Sequence, residues 1–288
     1  MGKEIITGNT SLLHFFENSE ISKDNFDIYL DKFHNETNVP KSFVRNYDFF
    51  TEHWVNLNDE WYFFKDFSDN YEYHGTINEL LGELISDYFG VDTVHFRMAK
   101  FTNKKGCETY GIVSNNFCSK DYDCVRPLEY GFKLKDDLTI FDEIGNLDIK
   151  SDCKKELLLD LKKLLIRDFY SSERDRHNMN IDFLVKDNYL KLSPLFDYEI
   201  SFLRSYDKLY LYKNTIMALN LLNDGDRLLL RTDSDFQKLL YLVMLIDMRK
   251  SLSEIEDKHE IIIPENYKEE YIEHDKKIKS LVKEFKLI

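Results

Sequence analysis

Residues 174–180 read Arg174-Asp175-Arg176-His177-Asn178-Met179-Asn180, and a second acidic residue follows at Asp197. Between them, residues 181–192 contain two apolar runs on either side of a polar triplet. Such a triplet is typical of a turn, so the pattern predicts a short β-hairpin. In this arrangement of a loop followed by a hairpin, Asp175, Asn180 and Asp197 would lie close together at the opening of one site.

The order and spacing of these side chains suit phosphoryl transfer. Protein kinases carry an Arg-Asp pair, four intervening residues and an Asn, and then a metal-binding Asp further along the chain. One carboxylate must orient the attacking hydroxyl and take its proton, a role that suits Asp175. Mg²⁺ prefers carboxylate and amide oxygens, which Asp197 and Asn180 can supply. A polar loop followed by a chance aspartate is the competing interpretation, but the whole string is far more specific than Asp-x-x-x-x-Asn alone.

The string Asp175-Arg176-His177-x-x-Asn180, followed by Leu192-Ser193-Pro194-Leu195-Phe196-Asp197, resembles the HipA-type serine/threonine kinases, including the shorter CtkA-like members. The resemblance covers roughly residues 61–202, and its strongest motifs lie between Asp175 and Asp197. It implies an α+β, two-lobed protein-kinase-like fold with a strand-rich N-lobe and a mainly helical C-lobe. We expect the N-lobe, with an N-terminal extension, at residues 1–116 and the C-lobe at residues 117–288.

A lysine and a glutamate upstream complete the expected nucleotide site. Lys65 closes an aromatic run in a strand predicted at residues 60–66, and a helix is predicted at residues 76–89. Kinases pair such a lysine with a helix glutamate that holds it on the phosphates. Glu79 is the candidate because this segment resembles HipA-like sequences, although Thr76-x-x-Glu79 also fits a capping box and Glu83 lies one turn later. A solvent-facing lysine at a strand end is the competing interpretation for Lys65.

The resemblance also implies the cofactors and the role of each remaining side chain. ATP and Mg²⁺ would bind between the lobes, with Asp175 and Asn180 as catalytic residues and Asn180 and Asp197 as metal ligands. Lys65, Glu79, Asp197 and His177 form the expected cofactor-binding set. Within it, His177 packs or hydrogen-bonds to fix the loop rather than ionising. The two arginines of the loop either pair with a phosphate or brace the loop through salt bridges.

Other elements follow from apolar periodicity and turn residues. Further helices are expected at residues 22–33, 151–170, 209–222, 233–249 and 265–285, and further strands at 91–101 and 109–114. The exit of the last strand, Asn115-Asn116-Phe117, resembles the hinge of HipA-like proteins, where backbone groups would bind the adenine edge; an ordinary strand end is the alternative. Residues 118–137 look irregular, and residues 1–57 carry no motif.

Composition restricts the classes of partner. The chain has 288 residues, with 39 Lys and Arg against 53 Asp and Glu, a formal net charge of −14. This acidity argues against direct binding of nucleic acid or anionic membranes. The four cysteines contain no C-x-x-C pair, which favours reduced thiols in a cytosolic protein. A zinc site from Cys118, Cys124 and a histidine is the alternative, although the usual ligand spacing is missing. The N-terminus has no apolar signal region and no apolar run is long enough to span a membrane, so a cytoplasmic location is expected.

Familiar phosphate-binding loops are missing from the sequence. There is no G-x-x-x-x-G-K-[ST] and no G-x-G-x-x-G, and none of the ten glycines clusters before Lys65. The sequence therefore does not identify the segment that covers the phosphates, and no phosphate-loop pattern stands out between Pro40 and Trp61. Asp197 is followed by Tyr198-Glu199 rather than Phe-Gly, so a switch built on a phenylalanine is not supported.

The leading hypothesis is an ATP- and Mg²⁺-dependent serine/threonine protein kinase of HipA-like type, with toxin-like growth arrest and a cognate antitoxin implied by the resemblance. Its substrate would be a protein with a Ser or Thr acceptor. The chain looks too short for the N-terminal subdomain of longer HipA proteins, which an antitoxin or a small accessory subunit could supply. A phosphoinositide-type lipid kinase is the second hypothesis, opposed by the acidity. A catalytically inactive kinase-fold binding module is the third, supported by the missing glycine loop.

Overall fold

The structure is a computed structural model, and the part of the chain that it describes excludes two predicted site residues. The described residues are 12–14, 22–57, 60–66, 72–102, 108–118, 120–127, 144–173, 176, 180–198, 201–202 and 224–288. Asp175 and His177 therefore lie outside the described residues, as do Arg174 and the helix predicted at 209–222.

A five-stranded sheet, ordered β1-β4-β5-β3-β2, forms one side of the molecule. Its strands are β1 (Leu12–His14), β2 (Trp54–Leu57), β3 (Glu60–Asp66), β4 (Phe96–Thr102) and β5 (Glu108–Asn115). All neighbours are antiparallel except β1 and β4, which are parallel. The strand predicted at 60–66 and the predicted pairing of the next two strands are confirmed.

The fourth strand begins at Phe96 rather than at residue 91, so the predicted start is wrong. The preceding residues leave the sheet to meet the segment before Asp197. Val94 N–H donates to the carbonyl of Leu195 at 2.9 Å, and Leu195 N–H donates to the carbonyl of Asp92 at 2.9 Å. This short parallel contact ties the sheet to the part of the chain that carries the predicted metal ligand.

A second, three-stranded antiparallel sheet contains the predicted hairpin. Its strands are β6 (Asp123–Val125), β7 (Phe183–Lys186) and β8 (Tyr189–Leu192). The turn of the hairpin places Asp187 at a φ of 50°, a conformation that Asp adopts more readily than most residues. The strand β6 lies in a segment that was predicted to be irregular. It was missed because three residues are too few to show an apolar period in the sequence.

Eight α-helices are described. They are α1 (Phe26–Thr37), α2 (Tyr47–His53), α3 (Glu72–Phe89), α4 (Ser151–Ser171), α5 (Asp224–Thr232), α6 (Ser234–Leu245), α7 (Met248–His259) and α8 (Glu265–Glu284). The helices predicted at 151–170 and 265–285 are confirmed within a residue at each end. Among the described residues, no helix combines the length and the apolar character needed to cross a membrane.

Three predicted helix boundaries are wrong, each for a local reason. α1 begins four residues late because the side chain of Asn25 accepts from Ser22 N–H at 2.7 Å in a preceding turn. α3 begins at Glu72, so Thr76 lies inside the helix and the capping-box interpretation fails. The single helix predicted at 233–249 is two helices, because Asp247 caps α7 by accepting from Lys250 N–H.

The core has a large helical part and a smaller aromatic part. The large part joins one face of the sheet, through β4 and β5, with α3, α4, α6, α7, α8 and the β7–β8 hairpin. The aromatic part packs α1 and α2 together against β2 and β3, around Phe33, Phe50 and Trp54. The molecule is thus an α+β fold with a strand-rich lobe and a mainly helical lobe, as predicted.

Candidate active site

Three charged side chains from three separate elements meet at one point. Lys65 lies on β3, Glu79 on α3, and Asp197 follows the β7–β8 hairpin. Lys65 Nζ contacts Glu79 Oε1, and it lies 2.5 Å from Asp197 Oδ1. The lysine side chain is only 16% exposed and the glutamate side chain is fully buried. The alternative of a solvent-facing lysine is therefore excluded.

Glu79 uses its two oxygens for different partners. Oε1 holds Lys65, whereas Oε2 accepts a hydrogen bond of 2.9 Å from the backbone N–H of Tyr198. Burial raises the pKa of Glu79 to about 7; Lys65 opposes this shift and Asp197 adds to it. One buried carboxyl group thus fixes both the lysine and the backbone next to Asp197.

Glu83, the other candidate for the lysine pair, has a different role. It is buried and accepts from Phe96 N–H at 2.9 Å and from Lys258 Nζ at 2.9 Å. These bonds join α3 to the start of β4 and to α7. Between the two glutamates, the structure therefore selects Glu79 as the partner of Lys65.

Tyr198, the residue after Asp197, is held by contacts with three neighbouring residues. Asp197 has a φ of 67°, and the side chain of Tyr198 is fully buried. The Tyr198 hydroxyl lies 2.6 Å from Thr93 Oγ1, and its ring stacks under the Arg167 guanidinium at 3.9 Å. A methyl group at Gly82 would lie 2.4 Å from the tyrosine ring, so α3 approaches the ring closely only because it has glycine there. Tyr198 occupies the position of the kinase switch phenylalanine as a packed, hydrogen-bonded residue.

Arg176 braces the predicted catalytic loop. Its guanidinium donates to Asp168 Oδ2 at 2.9 Å, to the carbonyl of Asn180 at 2.9 Å and to the carbonyl of Phe196 at 3.1 Å. The side chain is 1% exposed. Of the two roles left open for this arginine, the contacts support bracing the loop, because the Asp168 carboxylate and two backbone carbonyls accept hydrogen bonds from its guanidinium.

The two predicted metal ligands are linked through Arg176. It binds the main chain of Asn180 itself and of Phe196, the residue before Asp197. The structure thus brings Lys65, Glu79 and Asp197 into contact and ties Asn180 to them through one guanidinium. The positions of Asp175 and His177 lie outside the described residues, so their roles stay predictions.

A cavity of about 340 Å³ opens beside this cluster. Lys65 and Asp197 line it, together with Phe63, Phe96, Phe117 and Phe196. The rings of Phe117 and Phe196 stack at 5.6 Å with an angle of 22° between their planes. Its volume lies in the range of small-molecule sites, and the combination of aromatic walls with a cationic and an acidic group fits a nucleotide.

The predicted hinge lines the same cavity. Asn115, Asn116, Phe117 and Cys118 all contribute to its wall. The Asn116 side chain accepts from Cys118 N–H at 3.0 Å and donates to the carbonyl of Thr37 at 2.9 Å. The exit of β5 is therefore shaped by its own side chains and is joined to α1, which the sequence did not indicate.

Several lining residues were missed by sequence reasoning. Arg126 follows β6 and Asp182 precedes β7, and the latter is 1% exposed. Six others come from residues 39–54, a stretch without a motif: Val39, Phe43, Arg45, Phe49, His53 and Trp54. The only signal in the sequence is the density of aromatic residues in this stretch.

The donor set fits Mg²⁺ better than a metal held by protein ligands alone. Among the described residues there is no group of three or more His, Cys, Asp or Glu side chains arranged to hold a metal ion. Mg²⁺ is commonly held by one or two carboxylates, with waters and substrate phosphates as the other ligands. Asp197 and the amide of Asn180 are oxygen donors of this type.

The fold and this arrangement of lysine, glutamate and aspartate define a two-lobed, kinase-like class of protein. Solved structures similar to the chain include the Helicobacter pylori proinflammatory kinase CtkA, with a TM-score of 0.56 and 18% identity over 79% of this chain and 89% of that chain. HipA from a Shewanella oneidensis MR-1 toxin–antitoxin system, solved with HipB and operator DNA, gives a TM-score of 0.45 and 13% identity over 77% of this chain and 57% of that chain. No protein-family model and no curated protein sequence matches. The chain therefore has a CtkA-like kinase fold.

Proposed function

We propose that the chain is an ATP- and Mg²⁺-dependent protein kinase that phosphorylates serine or threonine hydroxyls. The observation that carries this proposal is the contact of Lys65 with both Glu79 and Asp197 at the wall of an aromatic cavity. Kinases need such a lysine–glutamate pair and a metal-binding aspartate close together. The choice of a serine or threonine hydroxyl on a protein as the acceptor is what the resemblance of the segment around Asp175 to HipA-type kinases implies.

The chain's own residues would divide the work in the following way. Lys65 would bind the α- and β-phosphates, and Glu79 would keep the ammonium group in place. Asn180 and Asp197 would hold Mg²⁺, whose chemistry when bound is to neutralise the charge on the phosphate oxygens. Asp175 would orient the acceptor hydroxyl and take its proton. The hydroxyl oxygen forms a bond to the γ-phosphorus, the bond from that phosphorus to the β–γ bridging oxygen breaks, and ADP leaves.

Lys65 would change partners when the nucleotide binds. In the structure, its ammonium group lies between the carboxyl groups of Glu79 and Asp197. Phosphate oxygens would replace Asp197 as the second partner and leave the aspartate available to the metal. The side chain of Asp197 is 31% exposed, so it can take a new ligand without a rearrangement of the core.

Label transfer tests the proposal directly. We expect ATP with Mg²⁺ to raise the melting temperature of the wild type, and labelled ATP to phosphorylate the protein itself or a co-purified protein. Asp175→Asn should lower the transfer rate by at least about 100-fold while nucleotide binding is retained, because it removes the general base. Label that appears only on phosphoinositide vesicles would favour a lipid kinase. Absence of any nucleotide-dependent stabilisation would favour an inactive binding module.

The partner prediction has its own test. The sequence resemblance implies an antitoxin or a small accessory subunit. We expect the product of a neighbouring gene to co-purify with the tagged chain and to suppress its label transfer. A stable monomer with full activity on its own would reject that partner without affecting the kinase proposal.

A further inference from the structure

One wall of the cavity comes from the segment between α1 and β2. We define residues 39–54 as the cover segment; six of its side chains line the cavity. It packs on the sheet through Phe50 and Trp54, which contact Phe33 of α1. Next to it, Asn38 Nδ2 donates to the carbonyl of Tyr122 at 2.9 Å. The cover segment is therefore a built part of the cavity.

The charges in the cavity leave a polyphosphate poorly matched without help from this segment. Lys65 is already in contact with the carboxyl groups of Glu79 and Asp197, and a third carboxyl group, that of Asp182, lies in the same wall. Even if Glu79 is protonated, the acidic groups of Asp182 and Asp197 both line the cavity beside the one ammonium group of Lys65. A nucleoside triphosphate adds several negative charges, of which one Mg²⁺ would neutralise only part, so further cations in the cavity would favour its binding.

Two arginines line the cavity, and each is positioned by the cover segment. The Arg45 guanidinium lies over the ring of Phe49 at 5.4 Å, and the Arg126 guanidinium lies over the ring of Phe43 at 4.3 Å. Both phenylalanines also line the cavity. Both guanidinium groups therefore lie against aromatic rings at the wall of the cavity, and a guanidinium is well suited to bind phosphate oxygens.

The chain order gives the cover segment a further meaning. It leads directly into β2 and then β3, the strand that carries Lys65. In protein kinases the segment ahead of the lysine strand is a glycine-rich loop whose backbone covers the phosphates, and this chain has no such loop. We infer that Arg45 and Arg126 bind the phosphates of the nucleotide in its place; this inference rests on the proposed nucleotide-binding function.

The two arginines should contribute unequally. The β6–β7 ladder pairs Val125 with Phe183, so Arg126 and Asp182 are the next residues of the two antiparallel strands. The Asp182 carboxyl group therefore offsets part of the charge of Arg126. Among the described residues, no carboxylate lies within salt-bridge distance of Arg45, and Arg45 is exposed. Arg45 is the stronger phosphate ligand of the two.

Binding measurements with a graded set of ligands test the inference without any need for activity. Calorimetry should be run with ATP, ADP, adenosine and tripolyphosphate on the wild type, Arg45→Ala, Arg126→Ala and Arg45→Lys. We expect Arg45→Ala to lower ATP affinity by ~10-fold or more and Arg126→Ala by less, because each removes a charge-assisted contact. Adenosine affinity should be unchanged, and Arg45→Lys should recover part of the loss.

Arg227→Ala is the matched control. Arg227 also stacks on a phenylalanine, with its guanidinium 4.9 Å from the Phe285 ring, but it lies on α5 and does not line the cavity. Its loss should leave ATP affinity at the wild-type value. Melting temperatures of all variants, measured without ligand, show whether each variant is folded.

The outcomes separate this inference from the proposed function. Unchanged ATP affinity in Arg45→Ala and Arg126→Ala overturns the inference and leaves the kinase proposal standing. Equal losses for ATP and adenosine also overturn it, since the arginines would then act on the base or on the fold. Arginine-dependent binding of tripolyphosphate without any binding of ATP would uphold the anion site and reject the kinase. A wild type that binds none of these ligands overturns both.

Discussion

Lys65 and Asp197 are separated by 132 residues in the sequence, yet Lys65 Nζ lies 2.5 Å from Asp197 Oδ1. One residue is on a strand of the larger sheet and the other follows the hairpin of the smaller one. Lys65 also contacts Glu79 on α3, so a single ammonium group joins charged residues from three separate parts of the chain. This convergence is what a site for a metal-bound nucleotide requires.

Removal of the lysine should abolish tight nucleotide binding while the fold survives. In Lys65→Met, Glu79 loses the cation that opposes the rise of its pKa, so the buried carboxyl group stays protonated and neutral at pH 7. We expect ATP affinity to fall by at least ~10-fold, equivalent to about 1.4 kcal/mol, in a calorimetric titration.

Lys163→Met is the control for this substitution. Lys163 is a partly buried lysine that pairs with Asp160 at 2.8 Å and does not line the cavity. Its variant should bind ATP as the wild type does. Wild-type ATP affinity in Lys65→Met would show that the ammonium group does not contact the nucleotide.

Asp197→Asn should abolish the stabilisation by Mg²⁺ while the stabilisation by ATP alone is kept. Asparagine accepts the left-handed conformation at this position, where φ is 67°, about as readily as aspartate does, so the substitution removes charge without backbone strain. We expect the additional rise in melting temperature that Mg²⁺ gives in the presence of ATP to disappear. The smaller rise with ATP and EDTA should remain.

The hairpin turn offers a matched variant for that experiment. Asp187 also has a positive φ, of 50°, is exposed at the turn of the hairpin and does not line the cavity. Asp187→Asn should keep the full response to Mg²⁺. If Asp197→Asn keeps it as well, Asp197 is not a metal ligand.

The sequence was informative where a residue sits on an element with a strong period or a turn signature. The aromatic run of β3, the apolar face of α3 and the β7–β8 hairpin each fix the position of one charged residue, namely Lys65, Glu79 and Asp197. Their order along the chain then indicates that they meet. The choice between Glu79 and Glu83 rested on the family resemblance, because both lie on α3 one turn apart and only their tertiary contacts separate them.

The rest of the cavity depends on tertiary packing and could not be predicted. Arg45 follows a 3₁₀ turn and precedes a helix of seven residues, elements too short for a periodic pattern. Arg126 follows a strand of three residues, and Asp182 stands between two apolar residues with no spacing that marks it. The break between α6 and α7 was missed because no Gly or Pro interrupts the apolar run at Ile246.

Gly82→Ala should destabilise the fold by crowding Tyr198, the residue after Asp197. Alanine is favoured over glycine inside a helix by about 0.5–1 kcal/mol, so propensity alone predicts a gain in stability. The added methyl group would lie 2.4 Å from the Tyr198 ring, which is held by Thr93 and Arg167 and has no free space. We expect a net loss of about 1–3 kcal/mol in urea unfolding, because overpacking outweighs propensity.

The same substitution should also weaken nucleotide binding. Displacement of Tyr198 moves the backbone N–H that bonds Glu79, and with it the carboxyl group that holds Lys65. Gly145→Ala is the control, because nothing lies within 4 Å of a methyl group at that position. A Gly82→Ala protein as stable as Gly145→Ala would mean that Tyr198 moves freely and is not the fixed residue described above.

The buried carboxyl group of Glu79 should make stability depend on pH in a defined window. Burial raises its pKa from the usual 4.5 to about 7, so between these values the folded chain holds a proton that the unfolded chain has released. The free energy of unfolding therefore falls as the pH rises from about 4.5 to 7. A shift of this size corresponds to a contribution on the order of 3 kcal/mol.

Glu79→Gln isolates this contribution from other titrating groups. Glutamine keeps the shape and cannot ionise, so the variant should lack the Glu79 part of the decline. The difference in unfolding free energy, variant minus wild type, should rise across pH 4.5–7 and level off above it, as measured by urea unfolding at each pH. Glu173, whose pKa burial also raises, is present in both proteins and cancels in the difference. Parallel stability curves would instead require Glu79 to be ionised throughout this window, with Lys65 and Tyr198 N–H fully compensating its burial.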